Sequence, residues 1–382
     1  AFILMSFLCD FLIIGSGISA SSCADELLGL INTDKTVIMV SPCSNVKIAH
    51  SLVRIGRVLD ELVLSEISNN LIFKKYGNFT FISETAISIN DIEKSVTTKT
   101  GQVIIFKRLI ICTGSYPKTL FNNNPLVYTL RDLESVEQFK QKLKQSKSAC
   151  VVGNGGIALE LIFEITRCKI YWVIKQNYIG SHFFDEETSL FFEQIKHLIS
   201  YKKKSEIHSY IKEDVSKQIG CNKDDIAFGS AVGPEWNRSF ILEGNEDILP
   251  SYPENVTIFF DDKIFSIVSE DDKLNVTTTK GQTFTCDFLI CAIGVVPNTD
   301  LTKTTTNKII LNQENAIMVD DNMRTSVKDI YAAGDCVSLN ILPDDSSHPN
   351  LWFQMNLWTQ AKHMGAYAAR CAIEYQTMLP IQ

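Results

Sequence analysis

The sequence predicts an α/β fold in which a strand, a glycine-rich turn, a helix and a second strand occur twice. Three observations predict it. The apolar run Phe11-Leu12-Ile13-Ile14 empties into Gly15-Ser16-Gly17, and Ala149-Cys150-Val151-Val152 empties into Gly153-Asn154-Gly155-Gly156. Short apolar runs with turn signals recur after each of these units. Such alternation builds parallel sheets covered by helices.

Taken in order, residues 9–14 read as a strand, 20–30 as a helix and 36–40 as a second strand. Residues 80–89 and 95–105 alternate as hairpin strands capped by Thr100-Gly101, and 108–112 end in Thr113-Gly114. The pattern restarts with a strand at 149–152, a helix to about residue 166 and a strand at 169–174. Strands at 256–268, 274–279 and 288–293 then repeat the earlier layout, ending in Gly294-Val295-Val296-Pro297. A polar turn at 320–324, the run Tyr331-Ala332-Ala333-Gly334-Asp335 and a helix at 354–371 complete the chain. We expect two Rossmann-like domains, the second inserted in the first: 1–128 with 287–382, and 129–286. The second carries an insertion at about 181–250, with a helix at 186–199 and a loop around Gly229 to Trp236.

Composition narrows the function. The 382 residues are 45% hydrophobic and 21% charged, which suits packed domains rather than disorder. A net charge of −8 argues against direct nucleic-acid binding, which needs clustered cations; Lys202, Lys203 and Lys204 form the longest basic run. The apolar opening, residues 1–8, lacks a basic flank and runs into Asp10, so it reads as a short leader to a buried strand, with Met5 a candidate start. No stretch is long and apolar enough to suggest a membrane span. Eleven cysteines include no CxxC, and His197 and His208 have no ligand companions, so no metal is expected. Cys286 and Cys291 lie in residues 283–291, which read as one strand; five steps separate them by about 16 Å on opposite faces. A disulphide needs Cα atoms within about 7 Å, so they are not expected to pair.

The two turns carry the chemistry. Gly15 permits a tight strand-to-helix turn, Gly17 lets backbone N–H groups approach a pyrophosphate, and Ala20 allows close helix packing. The phosphates then sit at a positive helix terminus. The acid that normally ends the second strand and binds ribose is replaced by Ser41. In the second turn Gly153 and Gly155 serve the same ends, and Glu160 stands one helical turn further in, where a nicotinamide would project. Its second strand ends in Ile174-Lys175 without an acid; Lys175 could meet a 2′-phosphate, so NADH and NADPH both stay open. One half should bind each dinucleotide. Asp335 lies at the carboxyl edge of a sheet, placed to accept hydrogen bonds from ribityl hydroxyls, and the following helix could stabilise charge on a reduced flavin.

These turns, with Cys112-Thr113-Gly114, Thr129-Leu130-Arg131-Asp132, Gly294-Val295-Val296-Pro297-Asn298 and Tyr331-Ala332-Ala333-Gly334-Asp335, resemble the pyridine nucleotide-disulphide oxidoreductase superfamily in order and over nearly the whole chain. The resemblance implies FAD held by Gly15, Gly17, Ile18, Ser19, Ser41, Lys47, Ala86 (backbone to adenine), Thr113, Gly114, Arg131 and Asp335, with Phe353 or Gln354 near the ring. It implies NAD(P)H over Gly153, Gly155, Ile157, Glu160 and Gly294. Nicotinamide would pass hydride directly to the flavin, which is itself the reactive centre, with Lys47 and Glu160 as candidate catalytic groups. Residues 153–161, 229–236 and 357–365 match one branch of the superfamily more closely. That branch implies a protective association with the tRNA-splicing ligase in nucleus and cytoplasm. The superfamily's active disulphide is absent: residues 47–55 hold His50 and Ser51 but no Cys, and Cys43 is expected to be structural. Relatives continue into a C-terminal interface domain past the position of Gln382. The leading expectation is an FAD-dependent NAD(P)H oxidoreductase without a redox disulphide. The alternative is a redox-sensing flavin and NAD(P)H-binding partner protein with little turnover, which the insertion at 181–250 motivates.

Overall fold

The structure is a computed structural model that describes residues 6–43, 45–49, 53–55, 59–61, 64–69, 71–131, 133–165, 168–195, 255–339 and 353–374. The expectations for Met5, His50, Ser51, His197, His208, the Lys202–Lys204 run and the Gly229 to Trp236 loop lie outside these residues. Among the described residues the chain divides into two units, 6–116 with 296–374 and 117–195 with 255–295.

The first unit is built on a seven-stranded sheet. Phe79–Ile82, Val37–Val40, Ser6–Ile14 and Val103–Ile111 lie parallel in that order. Val103–Ile111 serves two neighbours. Its first residues pair antiparallel with Ser95–Thr98, which continues to Ala86–Asn90, and its last three pair parallel with Ile330–Ala332. Val37–Val40 is buried along its whole length, as a parallel strand covered on both faces must be. The first helix, Ile18–Leu30, and the last, Trp358–Ala372, pack through small residues. A Cβ on Gly365 would stand 2.1 Å from the Ser19 carbonyl oxygen, so only glycine permits that approach.

The second unit has a five-stranded parallel sheet in the order Val127–Tyr128, Phe288–Cys291, Ser148–Val152, Lys169–Val173, Val256–Phe259. Side chains along Ser148–Val152 alternate between two cores. Ala149 and Val151 join Trp172, Phe288 and residues of the helices Leu133–Gln145 and Gly156–Glu164. Cys150 and Val152 join Leu274, Val276 and Cys286 of an antiparallel sheet made from Ile264–Glu270, Lys273–Thr278 and Thr283–Cys286. Asp271 and Asp272, with φ of 48° and 57°, form the two-residue turn of that sheet's first hairpin, matching a type I′ geometry.

Several expected boundaries are corrected. The junctions between units fall at 116/117 and 295/296 instead of 128/129 and 286/287, because Val127–Tyr128 and Phe288–Cys291 pair within the second unit's sheet. Residues 80–89 and 95–105 are not single strands: the first breaks between Phe79–Ile82 and Ala86–Asn90, which pair with different neighbours, and the second reverses in a turn after Thr98, so that Ser95–Thr98 and Val103–Ile111 pair antiparallel with each other. Residues 256–268 break at Asp262, whose buried carboxylate accepts from Lys263 N, Lys280 N and the Thr279 hydroxyl. The last helix begins at Trp358 rather than 354. Residues 283–291 break at Asp287, so Cys286 and Cys291 lie on strands of different sheets, and both are free.

Asp287 accepts from Lys147 N and Ser148 N, each at 2.8 Å, and from the Ser148 hydroxyl at 3.1 Å, clamping the start of the central strand. Burial pushes its carboxyl up, but these three bonds and the Lys273 ammonium outweigh it and hold the group below its ordinary 3.8. A depressed folded-state value contributes stability above the unfolded value, which is lost as pH falls through the folded one. Asp287→Asn is therefore expected to cost about 1–2 kcal/mol at neutral pH. That difference should shrink below about pH 3.8 in thermal melts run against pH.

Candidate functional site

In the first unit the expected residues converge on the carboxyl edge of the sheet. Gly15 has φ +123°, and a Cβ there would lie 2.2 Å from the Cys112 carbonyl oxygen, so the turn crosses directly over the end of the neighbouring strand. Gly17 is the N-cap of the first helix, with φ −72°, no side chain capping the helix and nothing within 4 Å of a Cβ. Helix starts leave N–H groups without intrahelical partners, and an uncapped start with open space before it suits a phosphate. Ile18 and Ser19 are buried in the first turn; the Ser19 hydroxyl donates to the Cys112 sulphur at 3.6 Å. Ser41 is buried and shares a hydrogen bond of 2.9 Å with Ser16, so a pair of hydroxyls stands where an acid would bind ribose.

Lys47 is fixed to the same turn. Its N–H donates to Ser16 O at 3.0 Å and its carbonyl accepts from the Ser21 hydroxyl at 2.6 Å. The Thr113 hydroxyl donates to Asn298 O at 2.5 Å, and Gly114 O accepts from Asn298 N at 2.8 Å, so this pair is spent on holding the edge together. Asp335 accepts from the Ser115 hydroxyl at 3.0 Å. Ala86 opens its strand beside a register shift, at the rim of the core. Phe353 is exposed. Gln354 donates through Nε2 to Gly334 O and Val337 O at 2.9 and 3.2 Å, which fixes the orientation of the amide; its buried Oε1 accepts no hydrogen bond. A buried acceptor without a donor beside Asp335 fits a ligand N–H or hydroxyl. Arg131 belongs to the second unit, is exposed and precedes the helix Leu133–Gln145.

The second unit repeats the design. Gly153 has φ +131°, with a Cβ position 2.0 Å from Ala292 O, and Gly155 caps Gly156–Glu164 with no side-chain cap and open space before it. Ile157 and Glu160 are half-buried on that helix. Gly294 has φ +94° and accepts from Lys118 N at 2.8 Å. Lys175 is exposed. Sequence reasoning missed two anchors. The Trp172 indole donates to Gly153 O at 2.7 Å, and buried Asn154 ties down residues 176–181, accepting from Gly180 N and donating to Tyr178 O.

A matching family model covers residues 9–231 and 253–365, and its description is pyridine nucleotide-disulphide oxidoreductase. The chain belongs to that family. It is 31% identical over 94% of its length to the human pyridine nucleotide-disulfide oxidoreductase domain-containing protein 1, spanning 75% of that protein. The Drosophila melanogaster protein of the same name is 33% identical over 96% of the chain and 76% of its own. Among solved structures, a NAD-dependent persulfide reductase from A. fulgidus superposes with a TM-score of 0.67 at 18% identity, covering 98% of this chain and 60% of that one. A water-forming NADH oxidase from Lactobacillus brevis gives 0.65 at 17% identity, covering 98% and 70%. Family membership makes the chain an FAD-dependent oxidoreductase that uses NAD(P)H, and the two Rossmann-like halves are its cofactor-binding architecture.

The family's name refers to a redox disulphide, yet the ten described cysteines are all free, and among them only Cys43 is exposed. Burial pushes the thiols of Cys23, Cys112 and Cys336 up, away from the reactive thiolate. Iodoacetamide is expected to modify Cys43 before any other described cysteine, with Cys112 and Cys336 labelled only on unfolding. Peptide mass spectrometry checks this, and rapid labelling of Cys112 in folded protein contradicts it. Among the described residues no helix is long and apolar enough to cross a membrane, and no cluster of three metal-ligating side chains occurs.

Proposed function

We propose that the first unit holds FAD, that the second holds NAD(P)H, and that hydride enters FAD without a protein disulphide as relay. The observation that carries this is the matched pair of uncapped helix starts, each with one glycine forced by a backbone crossing and one facing open space. Bound FAD supplies a two-electron acceptor for hydride from NAD(P)H. The chain's own work is binding and charge. The first-turn N–H groups of Ile18–Leu30 hold pyrophosphate, Ser16 and Ser41 face ribose, and Asp335 and Gln354 accept from ribityl or ring donors. Lys47 brings positive charge to the flavin side of the turn, while Glu160 and Gly294 shape the nicotinamide side. Electrons leave to a small acceptor or a partner protein. The resemblance of residues 153–161, 229–236 and 357–365 supports an association with the tRNA-splicing ligase, which the protein would protect from oxidation in nucleus and cytoplasm.

A visible spectrum of the purified protein, followed by anaerobic titration with NADH and NADPH, tests this reading. A yellow protein bleached by stoichiometric nicotinamide is expected. Protein that stays colourless after incubation with FAD would refute it, and bleaching by NADPH alone would give Lys175 a role.

A further inference from the structure

The strand Lys169–Val173 runs into Ile174-Lys175, where an acid would normally bind the adenosine ribose of a dinucleotide. The chain then folds back over the glycine turn. Asn154 accepts from Gly180 N at 2.6 Å and donates to Tyr178 O at 2.8 Å, and Gln176 O accepts from Asp261 N at 3.1 Å. Asn177 lies inside this tethered segment and is exposed. Its Nδ2 donates to Glu186 Oε1 at 2.7 Å. A carboxylate from the start of the helix Glu186–Ile195 is thereby held beside the segment that leaves the second strand, next to the place where the motif's own acid is missing. The neighbouring acid Asp185 is spent on the helix, its Oδ1 accepting from Thr188 N at 2.7 Å, whereas Glu186 Oε2 accepts no hydrogen bond among the described residues. Lys175, the cation nearest in sequence, is exposed, and no side chain among the described residues fixes its ammonium. A carboxylate tied by a hydrogen bond acts at one position, while an ammonium on a flexible four-carbon stem spreads its charge over many.

We propose that Glu186 is a specificity-determining residue for the nicotinamide cofactor: supplied from a helix outside the glycine motif, it accepts from the adenosine ribose hydroxyls and makes the site select NADH over NADPH. The proposal rests on the reading that the second unit holds NAD(P)H. An ionised carboxylate accepts from ribose hydroxyls but has no hydrogen for a 2′-phosphate, and its charge repels that group. Asn177 is the positioning residue that keeps the carboxylate there.

The test titrates FAD-loaded protein anaerobically with NADH and with NADPH and reads flavin bleaching, so that each cofactor gives its own apparent Kd. The parent is expected to bind NADH at least about tenfold more tightly than NADPH. Glu186→Gln should lower that ratio about tenfold, chiefly by tightening NADPH, Glu186→Lys should reverse it, and Asn177→Ala should lower it about threefold. Glu186 is exposed at a helix start, so its replacement leaves the fold intact. A residue that only supports the loop would weaken both cofactors alike and leave the ratio where it was. A parent that binds NADPH as tightly as NADH, or an E186Q ratio within about twofold of the parent's, overturns the role of Glu186 while the nicotinamide reading stands. If neither cofactor bleaches the parent's flavin, that reading fails and the proposal with it.

Discussion

Gly15→Ala is expected to lower the melting temperature by about 10 °C and to yield colourless protein, whereas Gly17→Ala should melt within about 3 °C of the parent and still lose most of its FAD. The two glycines stand two residues apart and do different work. At Gly15 an alanine would need φ +123°, and its Cβ would lie 2.2 Å from Cys112 O, a backbone atom fixed in the sheet. Strain of about 1–3 kcal/mol from the dihedral adds to displacement of the strand end, so a total above about 3 kcal/mol follows. Gly17 has φ −72°, which any residue adopts, and a Cβ there meets nothing. Its methyl group would instead fill the space through which phosphates reach the helix N-terminus. Melting curves and flavin absorbance per mole of protein separate the effects. Equal losses of stability in the two variants would mean that Gly17 serves the fold rather than the cofactor. The same contrast is expected between Gly153, whose Cβ would stand 2.0 Å from Ala292 O, and Gly155, where space is open. There the loss falls on NAD(P)H binding, with FAD retained.

These glycines were legible in the sequence because the constraint is local: a strand must reverse into a helix within three residues. The strands beside them were legible because a parallel strand covered on both faces needs an unbroken apolar run, as in Val37–Val40 and Phe288–Cys291. What escaped depends on partners far along the chain. Residues 256–268 and 283–291 do carry local marks, Asp261-Asp262-Lys263 and Asp287, but a short polar interruption alone does not distinguish a break from a solvent-facing strand position. The breaks become evident when Asp262 and Asp287 are seen collecting backbone N–H groups. The Ser16–Ser41 pair bridges the turn and the end of a neighbouring strand, and each serine alone looks like a filler. Gly365 did leave a trace, since Ala361, Gly365, Ala368, Ala369 and Ala372 put small residues along the last helix. That pattern signals a helix approached closely by a neighbour, here the backbone at Ser19.

The residue between the second pair of glycines is the least conspicuous member of its motif, yet its replacement should rank with theirs. Asn154 is 5% exposed; its Oδ1 accepts from Gly180 N at 2.6 Å. Its Nδ2 donates to Tyr178 O at 2.8 Å and reaches the Ser181 hydroxyl at 3.2 Å and Gln176 Oε1 at 3.4 Å. Two amide hydrogens cannot serve three acceptors equally, and the Tyr178 carbonyl has the best distance. Asn154→Leu keeps the shape but strands the buried Gly180 N–H and leaves the part-buried Tyr178 carbonyl without its donor, which costs about 2–3 kcal/mol. It also releases residues 176–181, the segment that follows the strand Lys169–Val173 and carries the chain past the position where a ribose-binding acid is missing. The expected result is a KM for NAD(P)H raised at least about tenfold with the FAD content unchanged, because FAD is assigned to the other unit. Asn154→Asp should do no better: a carboxylate still accepts from Gly180 N but has no hydrogen for Tyr178 O and sets negative charge against a carbonyl. If Asp restores nicotinamide affinity where Leu does not, the bond to Gly180 alone organises the segment. If neither changes KM, residues 176–181 do not touch the nicotinamide cofactor at all.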